Sequence, residues 1–180
     1  MTTLVSLELT FDEASDGAVR QEWEALRLAG LPSQADHTGA SNRPHVTLLV
    51  RSSLERFDGA SVEGYLPMPL TLGAPILFGT RRTRVLARSI VPSAALLHFH
   101  AAVHQQAGSR DEGDHTAPGA WTPHVTLARR IPIDRLGAAL EAVAAVGGGE
   151  LEVRAVQLRR WDAADRRVTR VAGRGTLDQC

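Results

Sequence analysis

A five-residue segment, Pro-His-Val-Thr-Leu, occurs twice in this chain, at residues 44–48 and again, 79 positions later, at residues 123–127. In a strand, successive side chains point to opposite faces, so the histidine and the threonine share one face while the valine and the leucine share the other. The repeat therefore predicts two equivalent strands. Each buries its apolar pair and presents a His–Thr pair.

Strand and helix signals surround both copies in the same order. Apolar alternation predicts strands, whereas apolar residues three to four apart between a capping residue and a glycine predict helices. The patterns predict strands at 4–11, 67–78, 83–91, 151–161 and 166–172, and helices from Asp16 to Gly30, from Ser93 to Gly108 and from Asp134 to Val146. The series of strand, helix, loop and motif strand occurs twice, which indicates an internal duplication. We expect one bilobal domain over residues 1–180, with similar lobes at 1–82 and 83–180 that each mix helix and sheet.

Composition narrows the class of protein. A chain of 180 residues, 43% of them apolar, can bury the core of a globular domain. The N-terminus lacks the basic region of a signal peptide, and no stretch reaches the roughly 20 apolar residues of a membrane span. We expect a soluble, cytoplasmic monomer without membrane contacts. The single cysteine, Cys180, leaves no disulfide and no cysteine-based metal site.

Charge is balanced overall but not along the chain. Twenty acidic and twenty basic residues give a net charge of zero, which argues against binding nucleic acid by bulk charge. Every basic residue is an arginine, whose planar fork suits phosphate. Arginines occur without acids in residues 81–88 and outnumber acids seven to two in residues 154–174. For any single arginine we expect a position on the solvated surface. The two arginine-rich stretches are also compatible with an anion-binding groove.

The repeated His–Thr pairs indicate a specific chemistry. If an approximate two-fold axis relates the lobes, His45 and Thr47 meet His124 and Thr126 across a cleft. Two imidazoles on opposite sides of a phosphate can act in one step, one as the base and the other as the acid. The threonine hydroxyls can donate hydrogen bonds to the non-bridging phosphate oxygens. This chemistry requires no metal and no cofactor.

These motifs resemble those of the two-histidine (2H) phosphoesterase superfamily, most closely its 2′-5′ RNA ligase and cyclic phosphodiesterase branch. The resemblance rests on the two His-x-Thr-Leu segments and on Arg129, since the second segment continues as His-Val-Thr-Leu-Ala-Arg. It implies a bilobal α+β fold with antiparallel sheets around a central cleft. It also implies metal-independent action on 2′,3′-cyclic phosphates or 2′-5′ linkages, with an RNA end or a small cyclic nucleotide as substrate. The motif is symmetric, so it leaves open which histidine is the acid.

Several further residues are candidates for binding substrate. Strict alternation places Arg130, not Arg129, on the histidine face unless the strand bulges, so both remain candidates. Trp121 is a candidate for stacking on a base or for covering the lobe junction. His100 and His104 are expected at the surface or its boundary, and His37 and His115 in exposed loops. The rival interpretation is an RNA-binding or nucleotide-sensing module that keeps the fold without turnover.

Overall fold

The computed structural model describes residues 4–79, 82–108 and 113–174. Arg81, Cys180 and residues 109–112 of the second loop lie outside the described residues. Within these ranges, seven strands and three α-helices follow one another in the order β1 (Val5–Phe11), α1 (Glu13–Leu28), β2 (His45–Arg51), β3 (Met68–Phe78), β4 (Thr83–Ile90), α2 (Ala94–Ala107), β5 (His124–Pro132), α3 (Leu136–Ala145), β6 (Leu151–Asp162) and β7 (Arg167–Gly173). The two PHVTL segments thus begin strands β2 and β5, as predicted.

All described strand pairs are antiparallel, and the strand order is β1-β2-β5-β4-β3-β6-β7. A further β1–β6 pairing closes six of the strands into a ring. The ring is weak at one place, because β2 and β5 pair only at Val46 and Val125. The two motif strands therefore lie side by side at a seam in this one closed sheet. The seam divides the strands into a first sheet (β1, β2, β7 and the later part of β6) and a second sheet (β3, β4, β5 and the first part of β6). The predicted α+β architecture is confirmed.

Strand β6 joins the two sheets. Its first residues, from Leu151 to Ala155, pair with β3, and its later residues, from Ala155 to Asp162, pair with β1. The predicted lobe boundary at 82/83 lies at the turn between β3 and β4, which pair with each other across it. The division at that boundary stays a prediction.

The start of the first helix differs from the prediction. Asp12, not Asp16, is the N-cap, and its side chain accepts a hydrogen bond from the Ser15 amide at 3.0 Å. Asp16 lies inside α1, where its buried carboxylate binds Arg20 and Arg43. An aspartate at either position satisfies a capping pattern, and the cap is the one that directly follows the strand. The third helix also begins later than predicted, at Leu136, after a 3₁₀ turn over Ile133–Arg135.

One continuous apolar core underlies both sheets and all three helices. Val46, Leu48, Val125 and Leu127 of the two motifs are fully buried in it. None of the described helices combines the length and the apolar character that a membrane-spanning segment needs. Within the same described ranges, no three or more potential ligand side chains of the acidic, histidine or cysteine type come together as a metal site.

Candidate functional site

Alternation in the two motif strands places the side chains as predicted. His45, Thr47, His124 and Thr126 are each partly exposed, whereas the intervening valines are buried. The antiparallel pairing of Val46 with Val125 sets His45 beside Thr126 and Thr47 beside His124. Each histidine therefore lies next to the threonine of the other motif, and all four line one cleft.

Each motif strand carries a β-bulge at its leucine. In β2, Leu48 is the extra residue between the positions that pair with β1, and in β5 Leu127 is the extra residue between those that pair with β4. A bulge shifts the alternation by one residue. The next cleft-facing residue therefore lies three positions after each threonine. It is Val50 in β2 and Arg129 in β5.

The β5 bulge sets which of the two candidate arginines faces the cleft. Arg129 lines the cleft beside both histidines. Arg130 is exposed, adopts a left-handed backbone with φ of 60° at a second register shift, and is absent from the described cleft lining. Arg129 is thus the arginine that the structure brings to the His–Thr pairs.

Two tryptophan side chains hold the motif strands from opposite halves of the chain. The indole Nε1 of Trp121 donates to the carbonyl of Thr47 at 3.0 Å, and that of Trp23 donates to the carbonyl of Thr126 at 3.1 Å. Because β2 and β5 pair at one residue only, carbonyls along the seam lack a sheet partner, and the indoles supply one. Trp121 also lines the cleft, while Trp23 is buried.

Both histidines are oriented in the same way. The carbonyl of Arg43 lies 2.7 Å from Nδ1 of His45, and the carbonyl of Thr122 lies 2.7 Å from Nδ1 of His124. A carbonyl only accepts hydrogen bonds, so in each ring Nδ1 carries the hydrogen. The Nε2 atom of each ring is left to exchange a proton with a substrate.

A buried ion pair lies beside His45. Glu8 Oε1 is 4.0 Å from His45 Nε2 and accepts a hydrogen bond from Ser6 at 2.6 Å, while Glu8 Oε2 binds Arg159 Nη2 at 2.8 Å. Burial raises the pKa of Glu8, but the charges of His45 and Arg159 and the Ser6 hydrogen bond outweigh it and keep that pKa below its usual value. The carboxylate is therefore ionised and stabilises a positive charge on His45.

The other histidine has an apolar neighbour instead. The ring of Phe78 lies 4.5 Å from that of His124, centroid to centroid. Burial lowers the pKa of His124 below its usual value, against the hydrogen bond to the Thr122 carbonyl. The positive charges of His45 and Arg129 lower this pKa further. His124 is the histidine that stays neutral.

The cleft beside the histidines encloses about 520 Å³. Besides the four motif side chains it is lined by Val50, Phe78, Val85, His115, Thr116, Ala120, Trp121, Thr122 and Arg129. His115 is exposed and lines the cleft, whereas His37 is exposed and is not part of the described lining. One face of Trp121 stacks on His100, with ring centroids 3.9 Å apart and planes 5° from parallel.

His100 and His104 are buried, so the expectation of surface histidines was wrong. Their Nε2 atoms lie 3.1 and 3.0 Å from the carbonyl of Leu48, the residue at the bulge. Arg51, itself paired with Asp114, approaches Nδ1 of His104 at 3.2 Å. Burial, and next the charge of His104, lower the pKa of His100 to about 4. Through Nε2, both histidines donate to the carbonyl at the β2 bulge and support it.

The sequence did not reveal the residues that make the two histidine sites unequal. Glu8, Arg159 and Phe78 lie on strands far from the motifs in sequence, and only the strand order brings them to the cleft. One available signal was the alternation of β1, where Ser6, Glu8 and Thr10 form a polar row on one face.

A family model described as the 2′-5′ RNA ligase superfamily matches residues 15–165 of the chain. The chain belongs to this superfamily. Membership supports a phosphodiesterase or RNA-processing function and so an enzyme in general. No curated protein sequence gave a significant match.

Solved structures of other proteins share the fold of this chain. Kluyveromyces marxianus Usb1 is 12% identical with a TM-score of 0.51, and the match covers 94% of this chain and 98% of that one. The same protein with uridine monophosphate gives a TM-score of 0.52 at 12% identity and the same coverage. E. coli LigT in apo form is 16% identical with a TM-score of 0.50, covering 96% of this chain and 98% of that one. At these identities the likeness is one of fold.

Proposed function

We propose that this member of the 2′-5′ RNA ligase superfamily is a phosphodiesterase that opens 2′,3′-cyclic phosphates at RNA or nucleotide ends. The observation that carries the proposal is the pair of histidines, each with Nδ1 bound to a carbonyl, that line one cleft with the two motif threonines. Both rings have Nε2 available to a bound phosphate, and a cyclic phosphate needs one proton acceptor and one proton donor.

The unequal surroundings support an assignment of roles. His124 is the base, since its lowered pKa keeps it neutral. His45 is the acid, since the carboxylate of Glu8 stabilises its charged form. Water attacks phosphorus and gives its proton to His124 Nε2. The bond from phosphorus to the 3′-oxygen breaks, and His45 Nε2 protonates that oxygen, leaving a 2′-phosphate and a 3′-hydroxyl.

The threonines and Arg129 act on the phosphate oxygens that do not react. The hydroxyls of Thr47 and Thr126 donate hydrogen bonds to them, and the Arg129 guanidinium balances the charge that develops. Ligation to a 2′-5′ linkage uses the same groups in the same order, with an RNA 5′-hydroxyl in place of water: the hydroxyl gives its proton to His124 Nε2 and bonds to phosphorus as the bond to the 3′-oxygen breaks. All of the proton transfers in this scheme use side chains of the chain itself.

Turnover of nucleoside 2′,3′-cyclic phosphates in the presence of EDTA tests the proposal. We expect 2′-phosphate product from the wild type, and a loss of at least about 100-fold in kcat in each of the His45→Ala and His124→Ala variants. Arg135→Ala, an exposed change on the 3₁₀ turn before α3, serves as the matched control. Activity that disappears with EDTA, or that survives in either histidine variant, contradicts the mechanism.

A binding module on the same fold is the alternative from another functional class. It predicts that the wild type binds a cyclic nucleotide or an RNA end without forming product. The same experiment separates the two, because equilibrium binding is measured alongside turnover.

A further inference from the structure

The cleft continues beyond His45 along the first sheet. In register, Val50 on β2 lies beside Ser6 on β1, and Ser6 lies beside Trp161 on β6. Neighbouring strands are about 4.8 Å apart, so Trp161 stands roughly 10 Å across the sheet from the motif strand. Thr47, Glu8 and Arg159 form the adjacent row. A polar floor therefore leads from the histidines to a partly exposed indole.

Two further cavities follow this floor. One, of about 410 Å³, is lined by His45, Thr47, Arg129 and Trp161 among others, and so opens on the candidate catalytic groups. The next, of about 430 Å³, is lined by Gly39, Ala40, Ser41, Trp161, Arg166 and Val168. Trp161 and Arg159 line both cavities, so the second cavity adjoins the first.

The second of these cavities, called the outer cavity below, is lined by two arginines that differ in how exposed they are to a ligand. Arg159 is buried, bound to Glu8, and donates to the carbonyl of Ser41 at 3.0 Å. Arg166 is exposed and has a left-handed backbone, with φ of 50°, in the turn between β6 and β7. The outer cavity thus combines an aromatic plane and small apolar walls with one exposed cation. A nucleoside and its phosphate have the complementary surface.

We propose that the cavity formed by Trp161 and Arg166 is the subsite for the nucleotide that precedes the reacting end of an RNA strand. The proposal rests on the proposed function, and it identifies the substrate as a strand end, not a free mononucleotide. The direction follows from the assigned roles: the 3′-oxygen departs toward His45, so the terminal ribose lies on the His45 side of the cleft. The strand then continues toward Trp161, where the preceding base stacks and its phosphate meets Arg166.

The test compares two substrates that share one reacting group. These are a nucleoside 2′,3′-cyclic phosphate and a short oligoribonucleotide that ends in the same cyclic phosphate. The measured quantity is the ratio of kcat/KM for the oligonucleotide to that for the mononucleotide. We expect a ratio well above one for the wild type, reduced about tenfold in Trp161→Leu, since base stacking on an aromatic side chain contributes at this scale.

Matched variants separate stacking and charge from folding. Trp161→Phe keeps an aromatic plane and retains most of the ratio. Arg166→Asn removes the charge with a residue that tolerates the left-handed backbone, and lowers the ratio. Arg167→Asn changes the neighbouring arginine, which does not line the described cavity, and keeps the wild-type ratio. A ratio near one in the wild type, or one unchanged in both Trp161→Leu and Arg166→Asn, overturns the subsite.

Binding distinguishes failure of the subsite from failure of the proposed function. Fluorescence anisotropy is measured with a labelled oligoribonucleotide bearing a 3′-phosphate, on the wild type and on Trp161→Leu. Tighter binding to the wild type without any turnover supports the subsite while refuting the phosphodiesterase. Turnover with equal binding of the oligonucleotide to both proteins refutes the subsite alone.

Discussion

His45 and His124 have the same local sequence and the same type of hydrogen bond at Nδ1, but the side chains packed around the two rings differ. A carboxylate lies 4.0 Å from Nε2 of His45, and a phenyl ring lies against His124. A carboxylate favours the charged imidazole, whereas burial against an apolar ring favours the neutral one. The difference in electrostatic surroundings between the two rings therefore comes from residues outside both motifs.

This difference predicts the activity of a Glu8→Gln variant. The proposed scheme requires neutral His124, so activity falls at low pH as His124 is protonated, and burial lowers the pKa that sets this limb. Removing the Glu8 charge takes away the anion 4.0 Å from Nε2 of His45, so kcat/KM falls about fivefold, because unit charges 4 Å apart interact by about 1 kcal/mol even in water. Arg129 and Arg159 remain as the nearby cations.

The pH–rate profile of kcat/KM checks both effects. Glu24→Gln, which removes an exposed carboxylate paired with Arg27 on α1, is the control and keeps the wild-type kcat/KM. An unchanged kcat/KM in Glu8→Gln contradicts the role given to His45, and a wild-type profile without a low-pH limb contradicts the role given to His124.

Whether the position of a site residue can be predicted depends on how far away in the sequence the residues that determine it lie. The facing of His45, Thr47, His124 and Thr126 depends only on neighbours along the strand, and the sequence predicts it. The facing of Arg129 depends on a bulge, which forms only against β4, so alternation alone favoured Arg130. That Glu8 lies beside His45 depends on strand order, which no local pattern contains.

At the scale of elements, each motif strand is held by a side chain from the other half of the chain. Helix α1 brings Trp23 to the carbonyl of Thr126, and the loop before β5 brings Trp121 to that of Thr47. Apolar spacing predicted α1, whose buried face carries Trp23, but the partner of the Trp23 indole N–H is set by tertiary contact. For the same reason the cap at Asp12 depends on where β1 ends.

The hydrogen bond from the Trp23 indole to the Thr126 carbonyl on β5 predicts a kinetic effect of Trp23→Phe. This change keeps an aromatic ring in the core and removes the donor to Thr126, whose backbone positions the neighbouring groups of the motif. We expect kcat to fall about tenfold with little change in KM, since small misplacements of reacting groups are costly. Val19→Ala, a buried truncation on the same helix, lowers thermal stability and leaves kcat unchanged.

Steady-state kinetics and thermal unfolding of each variant test whether this hydrogen bond positions the motif. Trp23 is buried beneath the sheet and cannot stack on a base, so a loss in kcat reports positioning. If Trp23→Phe and Val19→Ala lose activity only in proportion to stability, the indole hydrogen bond has no role in positioning the motif.

At the scale of the whole molecule, the two sheets depend on one strand. Leu158 of β6 pairs with Leu9 of β1, Val153 of β6 pairs with Leu70 of β3, and both β6 residues belong to the same core. The repeated order of elements predicted two similar lobes, but no local pattern indicated that β6 would pair with both β1 and β3. The sheet that carries the cleft is thus built from strands that pair between the two halves of the sequence.

This connection predicts that the described fold unfolds as one unit. Leu158→Ala, a fully buried truncation on the β1 side of β6, is expected to cost about 2–5 kcal/mol of unfolding free energy. Hydrogen exchange should show that loss equally in the most protected amides of β2 and of β4, because a shared core couples both sheets. Val153→Ala on the β3 side should give a smaller loss with the same equal distribution, and the exposed Arg154→Ala should give almost none. Protection lost in only one sheet, or two separate unfolding transitions, would show that the two halves are independent domains.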